Sequence, residues 1–391
     1  MVWPDAGLRK PASLVPRPAA RVRKIARRPS PLRNFFVKRT TISKQTAAEL
    51  ESPEAIGRVD DLLASVGLIH GTRASRRNTW QSGERKPVGR NKNLAEQAKR
   101  VPPAKLELEH AHLLAKFEKE IVHAFSTRAG GVSRVYRPYL PASKGDLNLG
   151  YTKHDERTNV EENRKRLLQS VADKDKLWKL VTLHQKHTPI VRMLDDESVT
   201  QMRGDAILTQ LHHRLIAVMT ADCVPVLLYD PKHKAIGAFH AGWRGTLARI
   251  VERGVGTMRL AFGSKPSDLV AAIGPSIGPC CYSVGEEVRH EFLSQFEYAP
   301  SLFTDVYESD PIRDKYPLLF LTARAPGHSP IGPQLHLNLW EANRRQLLDA
   351  GLAKKNISVA EACTACGTSR YFSHRSEQGF TGRMMSVIGL R

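Results

Sequence analysis

At 391 residues, 41% of them apolar, the chain is long enough for one large domain or two ordinary ones and can bury a real core. The net charge of +21 points toward nucleic acid or an acidic surface, yet residues 1–100 carry 22 Lys/Arg against 8 Asp/Glu, leaving 38 and 31 to the other 291. The basicity thus belongs to the N-terminal third, and no apolar run reaches the roughly 18 residues of a membrane span. Five cysteines, an odd and unevenly spaced set, make no disulfide framework and fit a reducing compartment. With no apolar segment following "RVRKIARRPSPLR", a secretory signal is not expected, and the location expected is cytoplasmic.

In chain order, residues 1–104 are rich in Arg, Pro and Ser and nearly without periodicity, so they read as a mostly disordered basic extension. A nucleic-acid-binding arm, a transit peptide and a start assigned too early are the other readings of that stretch, and "VDDLLASVGLIHG" holds at most a turn or two of helix. From Lys105 the character changes: "ELEHAHLLAKFEKE" looks helical, "IVHAFSTR" extended, and "DERTNVEENRKRLLQSVADKDKL" is a helix opening with acids. The branched-rich stretches "KLVTLHQKHTPIVRM", "RLIAVMTADCVPVLLYD" and "AIGAFHAGW" read as strands. A helix follows from about Thr246, with Leu247, Ile250, Val251, Val255 and Met258 on one face, and "DLVAAIGPSIGPCC" is a strand entering a Gly/Pro loop. Helices and strands mix without a βαβ rhythm or a dinucleotide glycine fingerprint, which favours a mixed α+β or layered α/β domain over 105–391.

Cys223 and His240 stand where strands would carry valine. If Asp230-Pro231-Lys232-His233 is a type I turn, residues whose numbers sum to 463 face each other, and these two become cross-strand neighbours with Cβ atoms roughly 4.5–5.5 Å apart. Three readings stay open: ordinary buried side chains, a nucleophile with its base, or two zinc ligands completed by His187 or His184. "HAGWRGT" places Arg244 at the start of a helix, a setting for an anion, and Arg128, Arg375 and Arg383 lie in glycine-rich turns that suit phosphate if they gather. Cys280, Cys281, Cys363 and Cys366 could form a structural zinc site, but adjacent cysteines chelate one ion poorly and buried small residues are the favoured reading.

The segments "HAFSTRAGGVS", "DLNLG", "LHQKH", "GDAILT", "TADCVPVLLYD", "FHAGWRG", "AAIGPSIGPCCY" and "FSHR…TGRMM", in this order over roughly 115–391, resemble the laccase-domain family long labelled multicopper polyphenol oxidase. Its members are described as zinc-dependent purine nucleoside phosphorylases with adenosine deaminase activity. The resemblance implies a single catalytic domain folded as a layered α/β/β/α sandwich, with zinc held by His187, Cys223 and His240. It implies adenosine, inosine, guanosine or methylthioadenosine as substrates, phosphate held by arginines such as Arg244, and a polar contact from Asn148. A relationship to deamidating toxins with a catalytic Cys–His pair keeps the nucleophile reading in view. Ser283 and Asn338 stand where the family usually has Glu and Asp, so two carboxylates that could orient substrate are gone, which bears on substrate preference and not on metal binding. The rivals are hydrolytic editing of peptidoglycan precursors, a copper oxidase using the two His, Cys223 and Met219, and nucleic-acid binding by the basic extension. A multicopper oxidase needs several His-x-His pairs, and this chain has only His110-Ala-His112.

Overall fold

The computed structural model describes residues 105–139, 144–195, 202–307, 315 and 333–391, all within one unit of the chain, Val88–Arg391. The expectations for residues 1–104 lie outside the described residues. Strands β1 (Leu108–Glu109) and β2 (Ile121–Ser126) flank helix α1 (His112–Ala115), and the short strands β3 (Ala129–Gly131) and β4 (Gly145–Asp146) precede α2 (Arg157–Val171). Then come β5 (Lys179–Thr182), β6 (Val191–Leu194), β7 (Ala206–Thr209), β8 (Arg214–Thr220), β9 (Val224–Asp230) and β10 (Ala235–Ala241). Helices α3 (Trp243–Leu247) and α4 (Ile250–Phe262) lead to β11 (Val270–Ile273), α5 (Glu286–Gln295) and the pair β12 (Phe303–Val306) and β13 (Gln334–Leu337). Helix α6 (Leu339–Asp349), β14 (Ile357–Val359) and β15 (Met384–Leu390) close the chain.

The strands build two mixed sheets, a five-stranded one ordered β1-β2-β15-β8-β5 and a six-stranded one ordered β14-β11-β9-β10-β7-β6. The central strands are buried on both faces, as their unbroken apolar runs require, and alternate residues serve different layers. In β9, Leu227 and Tyr229 point between the sheets with Ile216, Val218 and Ile388 of the other sheet, while Val224, Val226 and Leu228 point outward onto Ile250, Val251, Val255 and Met258 of α4 and Leu339 and Ala342 of α6. Leu167 of α2 covers the far face of the first sheet with Val122, Ala217 and Val387. The order is therefore α/β/β/α, as the resemblance implies. Each large apolar side chain so enclosed contributes about 1.5–3 kcal/mol.

Local departures from the sequence reading have simple causes. "ELEHAHLLAKFEKE" holds only a four-residue helix, because Leu108 and Glu109 pair with Ser126 and Phe125 as an edge strand. The helix expected from Thr246 begins at Trp243, and Arg249 in the left-handed region breaks it before α4. "KLVTLHQKHTPIVRM" and "RLIAVMTADCVPVLLYD" are each two strands, and in both the first strand lies in the five-stranded sheet and the second in the six-stranded one. The chain corners between sheets at Leu183–Ile190 and at Ala221–Cys223. Both corners use non-glycine residues at positive φ, His187 at 59° and Asp222 at 87°, a backbone costing about 1–3 kcal/mol that surrounding bonds must offset.

Candidate metal centre and cleft

The two corners and the end of β10 meet. His187 comes from the first corner, Cys223 from the second and His240 from β10, and one ligand atom of each lies within 4.8 Å of the other two. Cys223 Sγ is 3.7 Å from His187 Nε2, and the two imidazole rings are edge-on with centroids 4.8 Å apart. His184, the other candidate in "LHQKH", lines the same cleft and is not part of the cluster. The register is not the one the turn suggested. Lys234 in the left-handed region lengthens the turn to four residues, and Asp230 opposes Ala235, so His240 pairs with Pro225. The pairing sum is thus two higher than expected. A two-residue slip preserves the face, so Cys223, two before Pro225, still meets His240 on one side. Gly242 permits the approach: a Cβ there would lie 2.9 Å from His187 Cδ2 and 3.0 Å from Cys223 Sγ.

Asp205, in the quoted "GDAILT" but not singled out as a site residue, organises this cluster. Fully buried at the head of β7, its Oδ1 meets His240 Nδ1 at 2.8 Å and accepts the His187 amide at 2.9 Å. Its Oδ2 accepts the Thr188 amide and hydroxyl, each at 2.7 Å, and the Lys186 amide reaches both oxygens at 3.1 Å. A carboxylate on Nδ1 keeps a proton there and turns Nε2 toward Cys223, the orientation that metal-bound histidines use once Nε2 gives up its proton. Burial opposes ionisation of Asp205, but His240 and the Thr188 bonds overcome it and hold the carboxyl below its ordinary range. Burial likewise opposes charge on Cys223 and His240; their mutual attraction, with bonds from His187 and Asp205, lowers the thiol to about 6 and raises the imidazole to about 9. Two imidazoles and a readily ionised thiol are a donor set for zinc or copper, and three ligands beside open space leave room for a further one.

A cleft of about 680 Å³ opens over the cluster. Among the described residues its lining is basic, with Lys153, Arg375, Arg383 and five histidines including His154 and His374 against a single carboxylate, Asp222. Asp222 is spent on structure, accepting the Thr364 hydroxyl at 2.7 Å and the Arg375 amide at 2.6 Å. One Arg375 nitrogen donates to Ser283, at 2.8 Å to both carbonyl and hydroxyl, and the guanidinium stands 5.3 Å from the Tyr282 ring. Met219 also faces the cleft, with its sulfur 3.5 Å from Arg164 Nη2.

Three residues expected at the substrate are not among those that line this cleft. Arg128 is 1% exposed and stacks on Phe372 at 4.5 Å, with its guanidinium held by Asp146 at 3.1 and 3.2 Å, Glu377 at 3.0 Å and the Thr368 carbonyl at 2.7 Å. Asn148 is fully buried and bonds Asp155 and the backbone of Gly150 and Arg383, so it shapes the loop beneath Arg383. Arg244 is exposed, lies over Trp243 at 4.4 Å and is outside the cleft lining; its helix has only five residues. Asn338 caps α6, its side chain accepting the Glu341 amide at 3.0 Å, a task Asp and Asn perform alike. His110 and His112 belong to the edge of the first sheet and α1, where His110 packs on His123 at 5.3 Å.

Known proteins are similar to this chain. The profile of a family described as multi-copper polyphenol oxidoreductase laccase matches residues 122–391. A Bacillus subtilis protein named purine nucleoside phosphorylase YlmD is 33% identical over 282 residues, 70% of this chain and 90% of that protein. A Deinococcus radiodurans purine nucleoside phosphorylase is 36% identical over 272 residues, 69% and 89% of the two chains. Among solved structures, Bacillus licheniformis YfiH superimposes with a TM-score of 0.57 at 31% identity, covering 69% of this chain and 93% of that one. Geobacillus stearothermophilus YlmD does so with a TM-score of 0.54 at 33% identity, over 69% and 92%. The fold, the ordered motifs and these matches agree: the chain belongs to the laccase-domain family of YfiH and YlmD.

Proposed function

We propose that residues 105–391 form the catalytic domain of a zinc-dependent purine nucleoside phosphorylase acting on adenosine, inosine, guanosine and methylthioadenosine, with adenosine deaminase activity at the same centre. The observation that carries the reading is the juxtaposition, in one cleft, of the His187–Cys223–His240 cluster with Arg375, Arg383 and Lys153. The names borne by the relatives support the phosphorylase class. A zinc ion at the cluster would supply Lewis acidity at neutral pH. The cations would hold phosphate with an oxygen toward C1′ of the ribose; that oxygen bonds C1′ as the C1′–N9 bond breaks, and the purine leaves with a proton. Tyr282 and the half-exposed Tyr151 offer ring faces for the base. Of the four arginines considered for phosphate, Arg375 and Arg383 keep the role in this reading, because they line the cleft and Arg244 and Arg128 do not. Beyond the cluster, no group of three or more His, Cys, Asp or Glu among the described residues suits a metal except a set of four cysteines, so a multicopper oxidase lacks its histidine-rich sites.

The test is to incubate zinc-loaded protein with adenosine, with and without phosphate, and separate the products. Adenine and ribose 1-phosphate formed only with phosphate, and lost in Cys223→Ala, is the expected result. Inosine as the sole product would make deamination the main reaction. No turnover of any of the four nucleosides would refute the assignment and turn attention to peptidoglycan precursors.

A further inference from the structure

Four thiols outside the cleft converge. Cys280 and Cys281 lie in the turn after β11, Cys363 and Cys366 in the connection from β14 to β15, and the four Sγ atoms all lie within 4.8 Å of one another. Cys366 Sγ is 3.3 Å from Cys281 Sγ and 3.5 Å from Cys280 Sγ. An ion with four metal–sulfur bonds of about 2.3 Å sets its sulfurs about 3.8 Å apart, whereas a disulfide needs about 2.0 Å. The observed spacing lies far beyond a disulfide and within reach of ligands around one ion.

The objection that neighbouring cysteines chelate poorly is met by the local backbone. The amides of Cys281 and Tyr282 both bond the Gly278 carbonyl at 3.0 Å, a tight turn that delivers both sulfurs toward Cys366. Opposite, the Gly367 amide bonds the Cys363 carbonyl at 3.1 Å, closing one helical turn that places residues three apart on one side. The Gly278 amide donates to Cys363 Sγ at 3.2 Å, a bond that favours the ionised sulfur a metal requires. Gly278 must stay small, because a Cβ there would lie 3.2 Å from Cys280 Sγ and 2.8 Å from the Trp340 ring.

We propose that Cys280, Cys281, Cys363 and Cys366 form a second metal site, a structural tetrathiolate zinc centre. Four sulfurs fill a tetrahedral ion and leave no position for substrate, so its work is mechanical. It joins two segments that build one wall of the cleft: the turn leading to Tyr282 and Ser283, and the loop leading to His374 and Arg375. Thr364, between the second pair of cysteines, reaches Asp222 beside Cys223, so the same ion would brace the corner that carries a ligand of the first centre.

The decisive measurement is elemental analysis of the reduced Cys223→Ala chain, in which the first centre is disabled. One equivalent of zinc is expected to remain, and cobalt exchange should give a sulfur-to-cobalt charge-transfer band with the visible bands of tetrahedral cobalt. The wild-type chain should hold two equivalents, falling to one in Cys363→Ser/Cys366→Ser. Should that double variant not fold, the zinc content and cobalt spectrum of Cys223→Ala decide alone. A Cys223→Ala chain that folds without zinc, or a Cys281–Cys366 disulfide found by non-reducing peptide mapping of the native protein, would overturn the proposal. A wild-type chain with one equivalent that Cys223→Ala retains would support this centre and refute zinc at the first.

Discussion

Replacing Asp205 by asparagine changes no volume but removes the charge and one acceptor oxygen from the hub of the first centre. Five donors converge on this carboxylate: three backbone amides, the Thr188 hydroxyl and His240 Nδ1. An amide nitrogen must occupy one of the two oxygen positions, so it faces either the His240 and His187 donors or the Thr188 pair. Each buried donor left unpaired costs about 1–3 kcal/mol. With two such losses, partly relieved by water at the exposed corner, Asp205→Asn should cost about 2–4 kcal/mol of metal-free stability. Loss of the carboxylate behind His240 should also lower zinc affinity about 10- to 100-fold. Urea unfolding of the metal-free chain measures the first quantity, and competition with a chromophoric chelator measures the second. Stability within about 0.5 kcal/mol of wild type together with unchanged affinity would refute the assignment of Asp205 as the residue that sets both the corner and the histidine.

Two further outcomes follow from buried groups away from the cleft. Arg128→Leu removes one of the two arginines paired with Asp146 and the partner of Glu377, and should cost about 2–4 kcal/mol, while the surviving folded protein keeps its Michaelis constant for phosphate; a selective rise in that constant without loss of stability would return Arg128 to the substrate. Burial, aided by His110, lowers the His123 imidazole to about 4 in the folded chain. The unfolded chain then binds the extra proton, so stability is complete above about pH 6.5 and falls by up to about 3 kcal/mol as pH drops toward 4. Urea titrations at several pH values should show this slope reduced in His123→Gln; an unchanged slope would assign it to other groups.

The convergence of Cys223 and His240 was legible because chemistry-bearing residues in apolar strands are conspicuous, and a two-residue error in register leaves their face unchanged. The layer order was not legible from periodicity. Strands such as β9, buried on both sides, show no alternation, and the corners turn on non-glycine residues at positive φ, His187 and Asp222, with Pro189 alone as a conventional turn signal. Asp205 escaped for a related reason: an aspartate before a strand resembles a turn residue until the fold shows what it holds. Arg375 and Arg383 line the cleft as expected, whereas Arg128 does not, because sequence reports charge and not solvation. Arg128 in a glycine-rich turn looks free, and only Asp146 and Glu377, brought from elsewhere in the chain, reveal it as enclosed. The convergence of the four cysteines was not legible for want of the Gly278 turn, a three-dimensional fact.

The passage of both ligand-bearing connections from one sheet to the other ties reactivity to the integrity of the whole sandwich. Most reactive loops can fluctuate while the body beneath them stays closed. Here, each connection is clamped at both ends by strands in different layers, so the His187–Cys223 separation can widen appreciably only if the layers shear. The centre thus inherits the rigidity of the core, and freedom to admit and release ligands falls to the exposed side chains of the cleft lining, among them Tyr151, Lys153 and His374.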